Sequence, residues 1–194
     1  YDNYTEKMYS WVCHPDISAG SAKTVPCKNH PEGLKEITLD PPAKTFSNER
    51  QLLADFARYM AKHDPDIIAG WYVVDADIFQ ICKRMRVVGL DPKILSPHNK
   101  HDFKYNWSDK HWSQPIIGRM CFDLMVGFKK LWTIKNGQLA GQKLDTIAWQ
   151  VLQEKKVELP DGHDTYYTDV GTYLDYNRQD VRLLPRLDDA VNVL

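Results

Sequence analysis

The sequence predicts an α/β fold, a mixed sheet flanked by helices, and three observations support it. A helical hydrophobic period, a short apolar run of strand length and a second helical period succeed one another between residues 47 and 85. A long amphipathic segment closes the chain. The 194 residues, 43% of them hydrophobic, suit one domain able to bury its own core.

Residues 1–45 hold two β-like pieces, Met8-Tyr9-Ser10-Trp11-Val12 and Ile37-Thr38-Leu39. The Pro-, Gly-, Lys- and His-rich stretch between them, from Pro15 to Gly33, reads as a long surface loop. From Ser47 onward, Leu52, Leu53, Phe56, Tyr59 and Met60 recur at helical spacing; Ser47 is placed to cap the helix and Asp64-Pro65 to stop it. Asp66-Ile67-Ile68-Ala69-Gly70-Trp71 is expected to be a strand near the centre of the sheet, since an almost unbroken apolar run suits burial on both faces. Asp75 can cap the next helix, whose Ile78, Ile81, Cys82 and Met85 share one face. Residues 91–115 lack a regular apolar period and read as surface loop. Residues 116–125 fit a strand leading into a helix, 144–152 a short helix, and 172–193 a long helix that Pro185 should kink or divide. The whole reads as a single domain, 1–194, with strands and loop in 1–45 and the core in 46–194.

Twenty-five Lys plus Arg oppose 26 Asp plus Glu, so bulk charge marks neither a nucleic-acid-coating protein nor an acidic disordered tail. Any nucleic-acid contact must come from a local patch. No apolar run approaches the roughly 20 residues needed to cross a bilayer, and no signal sequence opens the chain, so no membrane partner is expected. Cys13, Cys27, Cys82 and Cys121 show no C-x-x-C spacing and read as reduced thiols of an intracellular protein. The seven histidines show no paired ligand spacing, and surface or core histidine is the default.

Candidate chemistry lies in the acids. Asp77 falls at the start of the helix after the 67–74 run, near the carboxyl end of a strand, where clefts open in α/β sheets. An acid there can equally serve only to complement the helix dipole. Tyr176 and Asp180 stand four apart in the last helix, on one face and about a turn from each other. Two carboxylates with a hydroxyl that can orient water suit a hard divalent ion and phosphodiester cleavage; the plainer reading is a surface acid beside a half-buried tyrosine.

The block Asp64-Pro65-Asp66-Ile67-Ile68-Ala69-Gly70-Trp71-Tyr72-Val73-Val74-Asp75-Ala76-Asp77, followed by Arg84, resembles the second motif of the 3′–5′ proofreading exonuclease domain of family B DNA polymerases. That domain belongs to the DEDD nuclease group and has a ribonuclease H-like fold. Gly118-Arg119 with Asp123, and Lys143-Leu144-Asp145-Thr146-Ile147-Ala148, are similar to the segments between the second and third motifs. Tyr176-Asn177-Arg178-Gln179-Asp180-Val181 resembles the third, Y-x-x-x-D. The likeness runs in order from about Phe46 to the end. It departs in two places. Tyr72 and Ala76 stand where the family usually has Asn and Phe, and no D-x-E, the family's first motif, occurs in the chain, whose opening residues look like the strand that normally follows that motif.

The resemblance implies hydrolysis of the 3′-terminal phosphodiester of single-stranded or frayed DNA, with Mg²⁺ or Mn²⁺ at a two-metal site and the polymerase domains of the parent chain as partners. It implies Asp180 as a direct metal ligand, Asp77 as support for the second metal, and Tyr176 as the group that positions the attacking water. Asp77 and Asp180 should then lie within roughly 8 Å across one cleft. Trp71 and Tyr72 can stack on a frayed base or simply pack. Lys143 can approach the cleft or remain a solvated lysine. Two other readings stay open: a non-catalytic structural domain of a polymerase, consistent with Tyr72, Ala76 and the missing motif, and a small stand-alone nuclease. Nothing in the chain resembles the family's polymerisation motifs.

Overall fold

The computed structural model describes residues 1–2, 5–102, 104–106, 111–112 and 115–192. Part of the 91–115 loop and the expected end of the last helix at residue 193 lie outside them. The fold is α/β, with six α-helices among the described residues, and the chain forms two compact units. One is built from residues 1–47 and 138–192, the other from 48–137.

The first unit holds the mixed sheet. Strands β1 (Trp11–Val12), β2 (Gly20–Pro26) and β3 (Glu36–Thr45) lie in the order β1-β3-β2, β1 parallel and β2 antiparallel to β3. β2 corrects the expectation of a loop from Pro15 to Gly33. Its side chains are mostly solvent-facing, so it lacks the apolar alternation that marks a half-buried strand, and its pairing with β3 is broken by an irregularity between Ala22 and Thr24. Val25 from β2 joins Val12, Ile37, Leu39 and Ala43 in the core, with Val170 from the last helix.

The helices of this unit are α4 (Leu144–Leu152), α5 (Thr165–Thr168) and α6 (Val170–Val191). α4 has the expected bounds. α6 is not divided at Pro185; Leu183, Leu187 and Val191, four apart, stay buried along one side. Its first turn is fixed by Asp169, whose carboxylate accepts from Thr172 N and Oγ1 and from the backbone of Lys28 and Asn29. Burial would raise the pKa of Asp169, but these hydrogen bonds outweigh it and hold it below the usual carboxylate value.

In the second unit, α1 (Glu49–His63) is capped by Asn48, one residue beyond the expected Ser47: its side chain accepts from Gln51 N at 2.9 Å. Asp64 ends the helix in the left-handed region, φ 45°. Strand β4 (Ile67–Gly70) pairs in parallel with β7 (Met120–Asp123), and β5 (Tyr105–Asn106) with β6 (His111–Trp112) as a short hairpin. Among the described residues β4 pairs with β7 alone, so the expected central strand lies in a two-stranded sheet. The run is not buried on both faces: Ile67 is 47% and its register partner Met120 53% exposed, while Ile68 and Cys121 turn to the core. Leu53, Ala57 and Met60 of α1 join Val73, Val74, Ile78, Cys82 and Met85 in that core.

The chain enters α2 (Phe79–Val87) through a π-helical turn, Val74–Ile78. Asp75 does not cap α2, because the backbone is already helical at Val73 and leaves no open N-terminus there. Asp77 therefore sits in the π turn, and the strand before it stops at Gly70. A 3₁₀ turn, Pro92–Leu95, follows α2, and α3 (Leu124–Asn136) follows β7. No helix among the described residues is long and apolar enough to cross a membrane.

Candidate active site

At the carboxyl ends of β4 and β7 the backbone geometry is tight. Gly70 and Asp123 are register partners, and a Cβ on Gly70 would lie 2.8 Å from Val73 Cβ. Trp71 is half-buried, with its ring 5.9 Å from that of Phe128. Tyr72 is 44% exposed and adopts φ 61°, a left-handed conformation unusual for any residue but Gly, Asn or Asp. Its N–H donates to Asp123 Oδ1 at 3.0 Å, and the same oxygen accepts from Met125 N to cap α3.

Burial raises the pKa of Asp123 above its ordinary value although these backbone donors pull it down, and the negative charge of Asp75 raises it further. Three acids, Asp75, Asp77 and Asp123, thus belong to the strand ends and the turn that follows. Asp77 is exposed. Arg84, the arginine of the second motif, is held by Glu49 of α1, with Nε donating to Oε1 at 2.7 Å. It fastens two helices together.

Gly118-Arg119 also proves architectural. Arg119 is buried and donates to Leu95 O at 2.9 Å, to Met60 O at 3.2 Å and to Pro65 O, with Asp64 as its ion-pair partner at 2.9 Å. Gly118 has φ 92°, and a Cβ there would overlap His98.

In the first unit, Tyr176 and Asp180 lie one turn apart on α6, both partly buried. A residue that the sequence reading did not single out joins them. Lys156, in the segment after α4, donates from Nζ to Asp180 Oδ2 at 2.9 Å, and the same nitrogen lies 5.3 Å from the centre of the Tyr176 ring. Asp180 Oδ1 is buried without a hydrogen-bond partner. Burial pushes the Asp180 carboxyl up; Lys156 and then Tyr176 pull it back, Asp145 adds to the rise, and the net direction is upward. The Tyr176 phenol is raised too, by burial first and then by Asp180, so it remains a neutral donor at ordinary pH. Lys143 is exposed at the start of α4. Lys156 lies in irregular chain, where no period assigns a facing, so nothing distinguished it from Lys155 in the sequence.

Carboxylate oxygens suit a hard divalent ion, and Asp180 supplies one such group, already engaged by Lys156 and Tyr176. Among the described residues no three His, Cys, Asp or Glu side chains converge to hold a metal. The residues present therefore fit part of such a site.

Residues 10–147 match the exonuclease domain of DNA polymerase family B. That span includes Trp71, Tyr72 and Asp77 and stops before Tyr176 and Asp180. No curated protein matches the chain. A match over more than two thirds of the chain, on an α/β framework with acids at parallel strand ends, places this chain in the exonuclease-domain family of the family B DNA polymerases.

Proposed function

We propose that the chain is a 3′–5′ proofreading exonuclease domain of ribonuclease H-like, DEDD type, which hydrolyses the 3′-terminal phosphodiester of single-stranded or frayed DNA beside the polymerase domains of a parent chain. The observation that carries this reading is the Lys156–Asp180–Tyr176 cluster: a half-buried carboxylate with one oxygen held by a lysine and the other unpartnered, one turn from a phenol. Its residues lie on a chain whose second motif falls within the family match.

In this reading Asp180 and Asp77 would hold Mg²⁺ or Mn²⁺. The ion, when bound, supplies positive charge to the phosphate oxygens and lowers the pKa of water. Tyr176 orients the attacking water through its neutral hydroxyl, and Lys156 holds the Asp180 carboxylate in one rotamer. Trp71 and Tyr72 would meet the terminal base. The reading requires Asp77 and Asp180 to share one cleft.

The test is release of mononucleotides from a labelled oligonucleotide with Mg²⁺, using the 194-residue chain and a version extended upstream to include a D-x-E. Two carboxylates hold a hard ion weakly, so the chain alone should be nearly inactive and the extended protein active. In the extended protein Asp180→Ala should abolish release, whereas Tyr176→Phe, which removes only an orienting hydroxyl, should cost less. An extended protein that released nothing would overturn the reading.

A further inference from the structure

Helix α3 ends on Asn136 with Gly137 as its cap, and no other asparagine of the chain precedes a glycine. Both residues are exposed, and Gly137 takes φ 87°, with open space where a Cβ would stand. Its N–H donates to Thr133 O at 3.3 Å, longer than the common range, and that bond closes the helix. The pair also marks a crossing point: Gly137 belongs to the second unit and Gln138 to the first.

An asparagine side chain is an amide electrophile within ring-closing reach of the next residue's backbone nitrogen. Attack by the Gly137 nitrogen on Asn136 Cγ forms the N–Cγ bond and breaks the bond from Cγ to the side-chain nitrogen, which leaves as ammonia. The Gly137 amide proton passes to the leaving nitrogen through water, and the product is a cyclic imide. Water then opens the ring at one carbonyl or the other, giving aspartate or an isoaspartate link; the net change is amide plus water to acid plus ammonia. A side chain on the attacking residue crowds this approach, and glycine has none. In a folded chain the helix opposes the reaction, because it fixes the nitrogen away from Cγ and ties up its N–H. At Gly137 that restraint is a single long bond in an end turn, where opening costs little. The other asparagines lack this combination. Asn48 accepts from Gln51 N as the cap of α1, Asn177 donates its side chain to Tyr173 O within α6, and Asn29 and Asn99 precede His30 and Lys100.

We infer that Asn136 is a site of spontaneous deamidation by water, and that its conversion to a carboxylate loosens the last turn of α3 where the chain passes between its two units. The C-terminal end of a helix carries partial negative charge, which Lys135 complements; an anion at the next position offsets that lysine. The inference does not rest on the exonuclease reading.

The experiment incubates the full 194-residue chain in warm, mildly alkaline buffer, native and in urea, and follows the tryptic peptide from Asn136 to Lys143 by mass spectrometry over time. Native Asn136 should convert at least about tenfold faster than Asn29, Asn48, Asn99 or Asn177, giving both aspartate and isoaspartate, and Asn136→Gln should leave the peptide unchanged. Conversion at Asn136 no faster than at those four, or conversion only in urea while the native chain stays intact, would overturn the site. Hydrogen exchange tests the consequence. In Asn136→Asp the amides of the last turn of α3 should exchange about two- to fivefold faster than in the parent, the effect of one misplaced charge at a helix end, while Asn136→Gln exchanges as the parent does. Equal exchange in Asn136→Asp and the parent would overturn the loosening, and equally fast exchange in Asn136→Gln would show that loss of the asparagine, not the charge, opens the turn.

Discussion

Replacing Lys156 by Met removes the cation from Asp180 while keeping most of the side chain's bulk. The pair is 2.9 Å long, and both side chains are about three-quarters or more buried, at 20% and 25% exposure. It therefore falls between an exposed pair, worth about 0–1 kcal/mol, and a fully buried one, whose breaking costs about 3–5 kcal/mol. A loss of about 2 kcal/mol at neutral pH follows, or roughly 4–8 °C in melting temperature for a chain of this size.

The loss must depend on pH, with a definite sign. The pKa of Asp180 is already raised in the folded state, by burial first, so its ionised form costs stability above the folded pKa and nothing below the unfolded one. Without Lys156 the folded pKa rises further. The deficit of Lys156→Met against the parent should then be fully present at pH 8 and shrink toward a small packing remainder as pH falls through the folded pKa of Asp180. Urea denaturation between about pH 4 and pH 8 measures this, and Lys156→Met with Asp180→Asn closes a double-mutant cycle. A deficit of equal size across that range, or a coupling below about 0.5 kcal/mol at neutral pH, would show that Lys156 only fills space.

Three further outcomes are expected. Arg119→Met should cost about 3–5 kcal/mol in urea denaturation, because it strips hydrogen bonds from Leu95 O, Pro65 O and Met60 O in the interior, whereas Asp64→Asn should cost under about 1 kcal/mol, since the Asp64 side chain is 66% exposed. Similar losses for the two variants would refute this division. Gly171→Ala should destabilise by about 1–3 kcal/mol despite alanine's better helix propensity, because its Cβ would overlap Pro26 O and Cys27 Sγ; a more stable variant would mean that α6 does not pass so close to β2. Tyr72→Asn should raise the melting temperature by roughly 2–4 °C, relieving about 1 kcal/mol of left-handed strain at an exposed position, and an unchanged or lower melting temperature counts against it.

The helices were legible wherever one face carried the core at a regular period: α1 and α4 lie within a residue or two of their expected bounds, and α6 begins two residues before its expected start and ends at Val191, with Asn192 as its left-handed cap. Sheet structure was harder to read. β2 packs Val25 inward and shows little else to the core, so its residues carry turn and loop composition. The 66–71 run has strand length and strand residues, but composition does not reveal which neighbour covers each face, and Ile67 faces solvent. Among the candidate residues, the pairing of Tyr176 with Asp180 was legible because their spacing is local to α6. Lys156 and Asp75 were not, because each acquires its charged neighbour only by folding, Asp180 across 24 positions in one case and Asp123 from the adjoining strand in the other.

The second motif, taken residue by residue, is mostly architecture. Asp64 ends α1 in a left-handed conformation and pairs with Arg119; Pro65 stops the helix and lends its carbonyl to the same arginine. Gly70 leaves the space that Val73 needs, and residue 72 must take positive φ before the chain can enter the π turn. Asn tolerates that conformation several-fold better than most residues, so its usual place there in the family has a backbone reason independent of any DNA contact. Tyr72 strains the turn and is held by its hydrogen bond to Asp123. Arg84 is engaged with Glu49. A chain can therefore keep almost the whole block to preserve its fold, while the cleavage proposed above would depend on Asp77, Tyr176 and Asp180, with Lys156 as the cation that holds Asp180.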